Sequence, residues 1–149
     1  MLFNRQNTIR VRVRILREFF QTLRRQLRVG GRRFDVTLVD DAEIKRLNAA
    51  FRGKRGPTDV LSFPWDGSPQ AVSGSALHSR ELSGFLGDIV ISVETARRNA
   101  RREGHNLHVE IQQLMLHGLL HLRGYDHETD DGKMNALELR LRRQLGIEG

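Results

Sequence analysis

Along this chain the spacing of apolar residues switches between helical and strand periods, and the switches mark out most of the elements. Ile15, Leu16, Phe19, Phe20, Leu23 and Leu27 recur at three and four, predicting an amphipathic helix that Gly30 and Gly31 end and whose other face is mostly arginine. Phe34, Val36 and Leu38 alternate as in a strand, after which Asp40 or Asp41 can cap a helix carrying Ile44, Leu47 and Phe51. Thr58 to Phe63 is a β-rich run closed by Pro64, and Phe85 to Ile91 is a nearly continuous apolar run that fits a buried strand. Between them, residues 66–84 are rich in Gly, Ser and Ala and predict a flexible surface loop of unusual length. Ser92 can cap a helix that Gly104 ends; Leu107 to Leu122 is apolar on nearly every face; Met134, Leu137, Leu141 and Leu145 form the stripe of a last helix. The class is α+β with a small sheet and about five helices, in a single domain spanning residues 1–149.

His117 and His121 interrupt the most apolar of these helices, and His127 follows shortly after it. Histidines four apart in a helix differ by about 40° in azimuth, so both imidazoles leave one face and can reach one ion. His127 would lie roughly 240° further around if the helix continued. Gly124 supplies the break, since glycine takes the left-handed conformation that ends helices, and the chain can then turn back towards the pair. Three imidazoles leave the fourth tetrahedral position of a zinc ion open for water, the arrangement of a catalytic site. The chain has no cysteine, so a metal site must be built from histidine and carboxylate.

Charge changes the picture next. The formal net charge is +7, and residues 1–33 hold ten arginines against the single acid Glu18. Only Lys45, Lys54 and Lys133 are lysine, and the planar guanidinium fork suits phosphate oxygens. Polyanion binding and an ordinary solvated face both account for this excess. The start of the chain lacks the apolar run of a signal peptide and no stretch of eighteen apolar residues occurs, so a soluble cytoplasmic monomer without membrane association is expected.

Three blocks then stand in order: Leu47-Asn48-Ala49-Ala50-Phe51-Arg52-Gly53-Lys54 leading into Pro57-Thr58-Asp59-Val60-Leu61-Ser62-Phe63-Pro64; Leu86-Gly87-Asp88-Ile89-Val90-Ile91; and the histidine run from Leu116 to His127. Together they resemble the bacterial YbeY family, the single-domain metal-dependent endoribonucleases of ribosomal RNA maturation. The resemblance implies a zinc site at His117, His121 and His127, one ion per chain, with other divalent transition metals as alternatives. It also implies a positively charged cleft in which Arg52 serves activity, and a small mixed four-stranded sheet packed by about five helices. The implied function is single-strand-specific hydrolysis of RNA phosphodiesters in 16S ribosomal RNA 3′-end maturation and ribosome quality control. Ribosomal RNA, the ribosome or small subunit, and a ribosomal protein or GTPase are the implied partners. Residues 66–84 look longer and richer in Ser and Gly than the family's usual link.

Two other readings compete. The histidine spacing is also that of the metzincin proteases, H-E-x-x-H-x-x-G-x-x-H, in which Glu takes a proton from the zinc-bound water. Gly118 stands in its place and has no side chain, which argues against peptide hydrolysis. A non-catalytic, zinc-stabilised RNA-binding ribosome assembly factor would bind RNA without turnover. Asp126 is the carboxylate nearest the histidines in sequence; it can orient an imidazole, act as base, or bond only its own turn. Without the resemblance, Arg52 reads as a cation favoured at a helix C-terminus. Asp88, inside an apolar strand, is expected to face a cleft or form an ion pair. Thr58, Asp59 and Ser62 are candidates for the substrate groove, with Asp59 as an alternative turn cap. His105 and His108 are expected to face solvent, and His78 falls in the loop.

Overall fold

The computed structural model describes residues 1–65, 84–125 and 132–149. In chain order the elements are β1 (Leu2–Asn4), α1 (Val13–Gln26), β2 (Arg33–Val39), α2 (Asp41–Arg52), β3 (Val60–Pro64), β4 (Phe85–Ser92), α3 (Val93–Glu103), α4 (Leu107–Leu122) and α5 (Lys133–Leu145). The strands form one mixed sheet in the order β1-β2-β4-β3, with β1, β2 and β4 parallel and β3 antiparallel at the edge. The α+β class, the small sheet and the five helices are as the hydrophobic pattern predicts, and the mixed four-stranded sheet is as the resemblance implies. Strand β1 is the addition: Leu2, Phe3 and Asn4 are too few to show a period, and they pair with Val36, Thr37 and Leu38.

Alternation along the strands sorts side chains between the two faces of the sheet. Phe34, Val36 and Leu38 of β2 and Ile89 and Ile91 of β4 join Leu16, Phe20 and Leu23 of α1 and Ile111, Met115 and Leu119 of α4 in the larger core. Phe20 stacks on Phe34 with ring centroids 4.6 Å apart. Val39, Val90 and Leu61 face the other way, under Ile44 of α2. Burying each large apolar side chain contributes roughly 1.5–3 kcal/mol, so the face that holds α4 carries most of the hydrophobic stabilisation.

Helix ends differ in detail from expectation. Helix α1 stops at Gln26, before Gly30 and Gly31. Arg28 takes the left-handed conformation at φ +50°. Its N–H donates to Arg25 O at 3.2 Å and the Val29 N–H to Arg24 O at 3.1 Å, a Schellman closure. Burial of Val29 fixes that end early. Asp40, not Asp41, caps α2 by accepting the Glu43 N–H at 2.9 Å. Asp41 instead accepts bonds from Ser92 Oγ and Thr95 Oγ1, both at 2.6 Å, and from Arg98 at 2.8 Å. Burial pushes its pKa up, but these bonds and the Arg98 charge outweigh it and hold the carboxyl below its usual range. This tie fixes α2 to the start of α3.

Candidate metal centre

Helix α4 begins at Asn106, whose side chain caps it by accepting the Val109 N–H at 2.8 Å. It lies directly on the sheet. A Cβ at Gly118 would stand 2.7 Å from Ile89 Cγ2, closer than side chains pack, so helix and strand touch at this glycine. From the edge strand, Ser62 Oγ donates to Gly118 O at 3.3 Å. At the far end Gly124 is left-handed at φ +95°. Its N–H donates to His121 O at 3.0 Å and the Tyr125 N–H to Leu120 O at 3.1 Å, so the break predicted there is present.

His117 and His121 leave α4 on one face, with ring centroids 4.7 Å apart. Their Nε2 atoms are 3.1 Å from each other. Two nitrogens bound to a tetrahedral zinc ion at roughly 2.0–2.1 Å stand roughly 3.3 Å apart, so this separation is that of a chelating pair. His117 Nδ1 lies 2.6 Å from Glu138 Oε1 on α5. A carboxylate can only accept, so Nδ1 carries the proton and Nε2 presents its lone pair towards His121. Arg142, one turn on, donates to the second oxygen of Glu138 at 3.1 Å. The Glu138 side chain is 6% exposed and that of His117 24%, so the carboxylate is enclosed while the imidazole reaches the surface. The donor set, two imidazoles with one oriented by a buried carboxylate, fits a divalent transition metal.

His127 and Asp126 lie outside the described residues, as does the expected loop apart from Gly84. Among the described residues no three His, Cys, Asp or Glu side chains converge. Arg52 is exposed at the last position of α2, followed by left-handed Gly53. Its neighbour Phe51 packs edge-on against Phe63, 5.5 Å between centroids, which sets this end of α2 against the strand that bonds Gly118. Ser62 is used by that bond. Asp59 accepts from Asn99 Nδ2 at 3.1 Å, so it ties β3 to α3.

Of the two alternatives for Asp88 the ion pair is absent among the described residues; Asp88 stands opposite Asp35 of β2, and burial first, then the Asp35 charge, raise its pKa. Two expectations need correction. His105 does not face solvent but bonds Glu110 Oε1 through Nε2 at 2.7 Å, with both side chains nearly enclosed. His108 Nε2 accepts the Arg12 N–H at 2.8 Å. Glu138 was absent from the sequence candidates, though a signal existed. It falls four residues after Met134 and three before Leu141, on the apolar stripe of α5, where a charge is costly unless paired.

The model for the family described as endoribonuclease YbeY matches residues 2–146. The chain belongs to the YbeY family. The endoribonuclease YbeY of Nautilia profundicola is 46% identical over 113 residues, 76% of this chain and 72% of that protein. That of Solibacter usitatus is 43% identical over 132 residues, 89% of this chain and 78% of its own length. The solution structure of a Thermotoga maritima protein is similar with a TM-score of 0.62 at 27% identity, covering 97% of this chain and 89% of that one. The YbeY match reaches β1 and α1, beyond the three blocks that carried the resemblance. Among the described residues no helix is long and apolar enough to cross a membrane.

Proposed function

We propose that this chain is a metal-dependent endoribonuclease that hydrolyses phosphodiesters of ribosomal RNA, with one zinc ion held by His117, His121 and His127. The observation that carries the proposal is the His117–His121 pair: Nε2 atoms 3.1 Å apart, with one ring oriented by enclosed Glu138. A bound divalent ion supplies Lewis acidity to a phosphate oxygen and lowers the pKa of a water. Glu138 keeps the His117 proton on Nδ1, and Arg142 holds Glu138 in place. The exposed Arg52 guanidinium is available to clamp a phosphate, and Asp126 to orient an imidazole or receive the proton of the attacking water. The scissile group is already anionic, so cationic groups serve it where a peptide bond would need the glutamate that Gly118 replaces. The names of the relatives support RNA as the substrate. The 16S 3′ end, the small subunit and a ribosomal protein or GTPase are the setting that the family suggests.

The test is cleavage of a structured RNA with a single-stranded 3′ extension, together with metal content, for wild type and His121→Ala. Loss of both in the variant is expected. Undiminished cleavage by the variant, or none by metal-loaded wild type, overturns the hydrolase; in the second case the RNA-binding assembly factor stands.

A further inference from the structure

Residues 19–34 contain no acid and five arginines: Arg24, Arg25, Arg28, Arg32 and Arg33. The fold gathers the five into one bend, from the last turn of α1 through the closure at Arg28 and Val29 to the first residue of β2. Arg25, Arg28, Arg32 and Arg33 are exposed and Arg24 is half-buried. Their hydrogen bonds go to neutral groups of the bend itself: Arg24 Nη2 to Gly30 O at 3.3 Å, Arg32 Nε to Val29 O at 3.4 Å and Arg25 to Thr22 Oγ1 at 3.4 Å, while Arg33 lies over the neutral Phe85 ring, 6.0 Å from its centroid. Among the described residues none of the five forms an ion pair. Their charge is therefore left facing solvent.

The backbone gives a second, independent observation. Arg28 is the one non-glycine residue with positive φ among the described residues, at +50°. The left-handed conformation costs roughly 1–2 kcal/mol for a residue with a Cβ, and glycine would hold the same closure without it. Arginine at this position gives up stability and gains a solvent-facing cation, the kind of local strain that accompanies function.

The bend is also anchored to α4. Arg123, the C-cap residue of α4, donates from Nη1 to Leu27 O and fastens the bend to the histidine end of that helix. His121 lies two residues before Arg123, about 3 Å back along the axis. The bend is thus joined to the C-terminal end of the helix that carries His117 and His121, with Arg123 leaving that helix about 200° around from His121.

We propose that this arginine bend is a docking surface for the phosphate backbone of the RNA substrate, distinct from the metal ligands and from Arg52. The inference rests on the RNA reading above and names the surface that the substrate uses. Guanidinium forks match phosphate oxygens. An anionic membrane is the weaker partner, because surface insertion needs an apolar face. The large exposed apolar residues among those described, Met1, Ile15, Phe51, Tyr125 and Leu139, all lie outside the bend.

The experiment is fluorescence anisotropy with a labelled single-stranded oligoribonucleotide across a KCl series, in a His121→Ala background so that the RNA stays intact. The triple change Arg25→Gln, Arg28→Gly and Arg33→Gln should lower the slope of log affinity against log salt by about 2, near 0.7 per lost phosphate contact. Arg14→Gln with Arg17→Gln, towards the other end of α1, should leave it unchanged. With the histidines intact, the triple variant should raise KM for RNA and keep kcat. Thermal melts check that it is folded, with Arg28→Gly offsetting any loss. An unchanged slope in the folded triple variant, or an equal fall in the Arg14 and Arg17 variant, overturns the docking surface. So does binding to phosphatidylserine vesicles that the triple change abolishes while the RNA slope stays the same. Failure here leaves the hydrolase standing if wild type cleaves and His121→Ala does not; a fallen slope without wild-type cleavage sinks the hydrolase and keeps the surface.

Discussion

At its start α4 is braced by His105 and Glu110, 2.7 Å apart, and at its end by His117 and Glu138, 2.6 Å apart. The chemistry is the same and the nitrogen differs. His105 turns Nε2, the tip of the ring, into its carboxylate, and both side chains are about nine-tenths buried. His117 gives Nδ1, the inner nitrogen, to its carboxylate, and its tip points at His121. In the first pair the carboxylate occupies the ring tip; in the second the tip is left for another partner. The distinction lies in ring orientation, which the fold sets by placing Glu110 on α4 itself and Glu138 on a separate helix.

The largest test of this contrast is Glu138→Ala. Metal affinity measured against a competing chelator should weaken about 10- to 100-fold, the usual effect of removing a carboxylate behind a histidine ligand. Glu138→Gln, whose amide oxygen can still accept from Nδ1, should lose less. Unchanged affinity in both would break the contrast. Glu110→Ala should do the reverse, lowering stability in urea by about 1–3 kcal/mol, since it leaves an enclosed imidazole without its partner, while metal affinity holds. A metal defect there would show that the two ends act as one unit. Arg142→Gln should weaken metal binding about 3-fold, because it acts on His117 only through Glu138.

The smallest effect is a pH dependence at the braced end. Burial first, and the nearby Arg12 charge second, lower the His108 pKa, in keeping with a bare Nε2 that accepts the Arg12 N–H. The unfolded chain then takes up this proton before the folded one. Its contribution to stability is complete above about pH 6.5 and is lost as pH falls below that. In urea melts on both sides of that value, His108→Gln should flatten the acid-side decline relative to wild type, and an identical decline would remove His108 as its source.

Much of this was legible in the chain because it is local. The spacing of His117 and His121, the break at Gly124, the caps at Ser92 and Asp40 and the alternation of Phe34, Val36 and Leu38 all express periods of a few residues. What escaped depends on distant partners. Strand β1 exists because β2 offers it an edge, and a three-residue strand has no pattern of its own. Glu138 meets His117 across twenty-one residues, through the packing of α5 on α4. His105 and His108 were misplaced for a related reason: the partner of one is a glutamate within an apolar helix, and that of the other a backbone N–H from the far end of the chain. Helix α1 ends before its glycines because burial of Val29 outweighs them.

Gly118 also bears on what this scaffold can become. A catalytic glutamate there would drive its first carbon into the Ile89 side chain, so acquiring a peptidase base requires a change in the core at residue 89 as well. A change at residue 118 alone would bring the cost of a disrupted interior before any benefit, and a smaller side chain at 89 would first leave a void. The two steps are each deleterious and useful only together. Drift between the two chemistries is thus blocked by core geometry, and the commitment to one substrate class is guarded by stability selection acting on the interior rather than on the cleft.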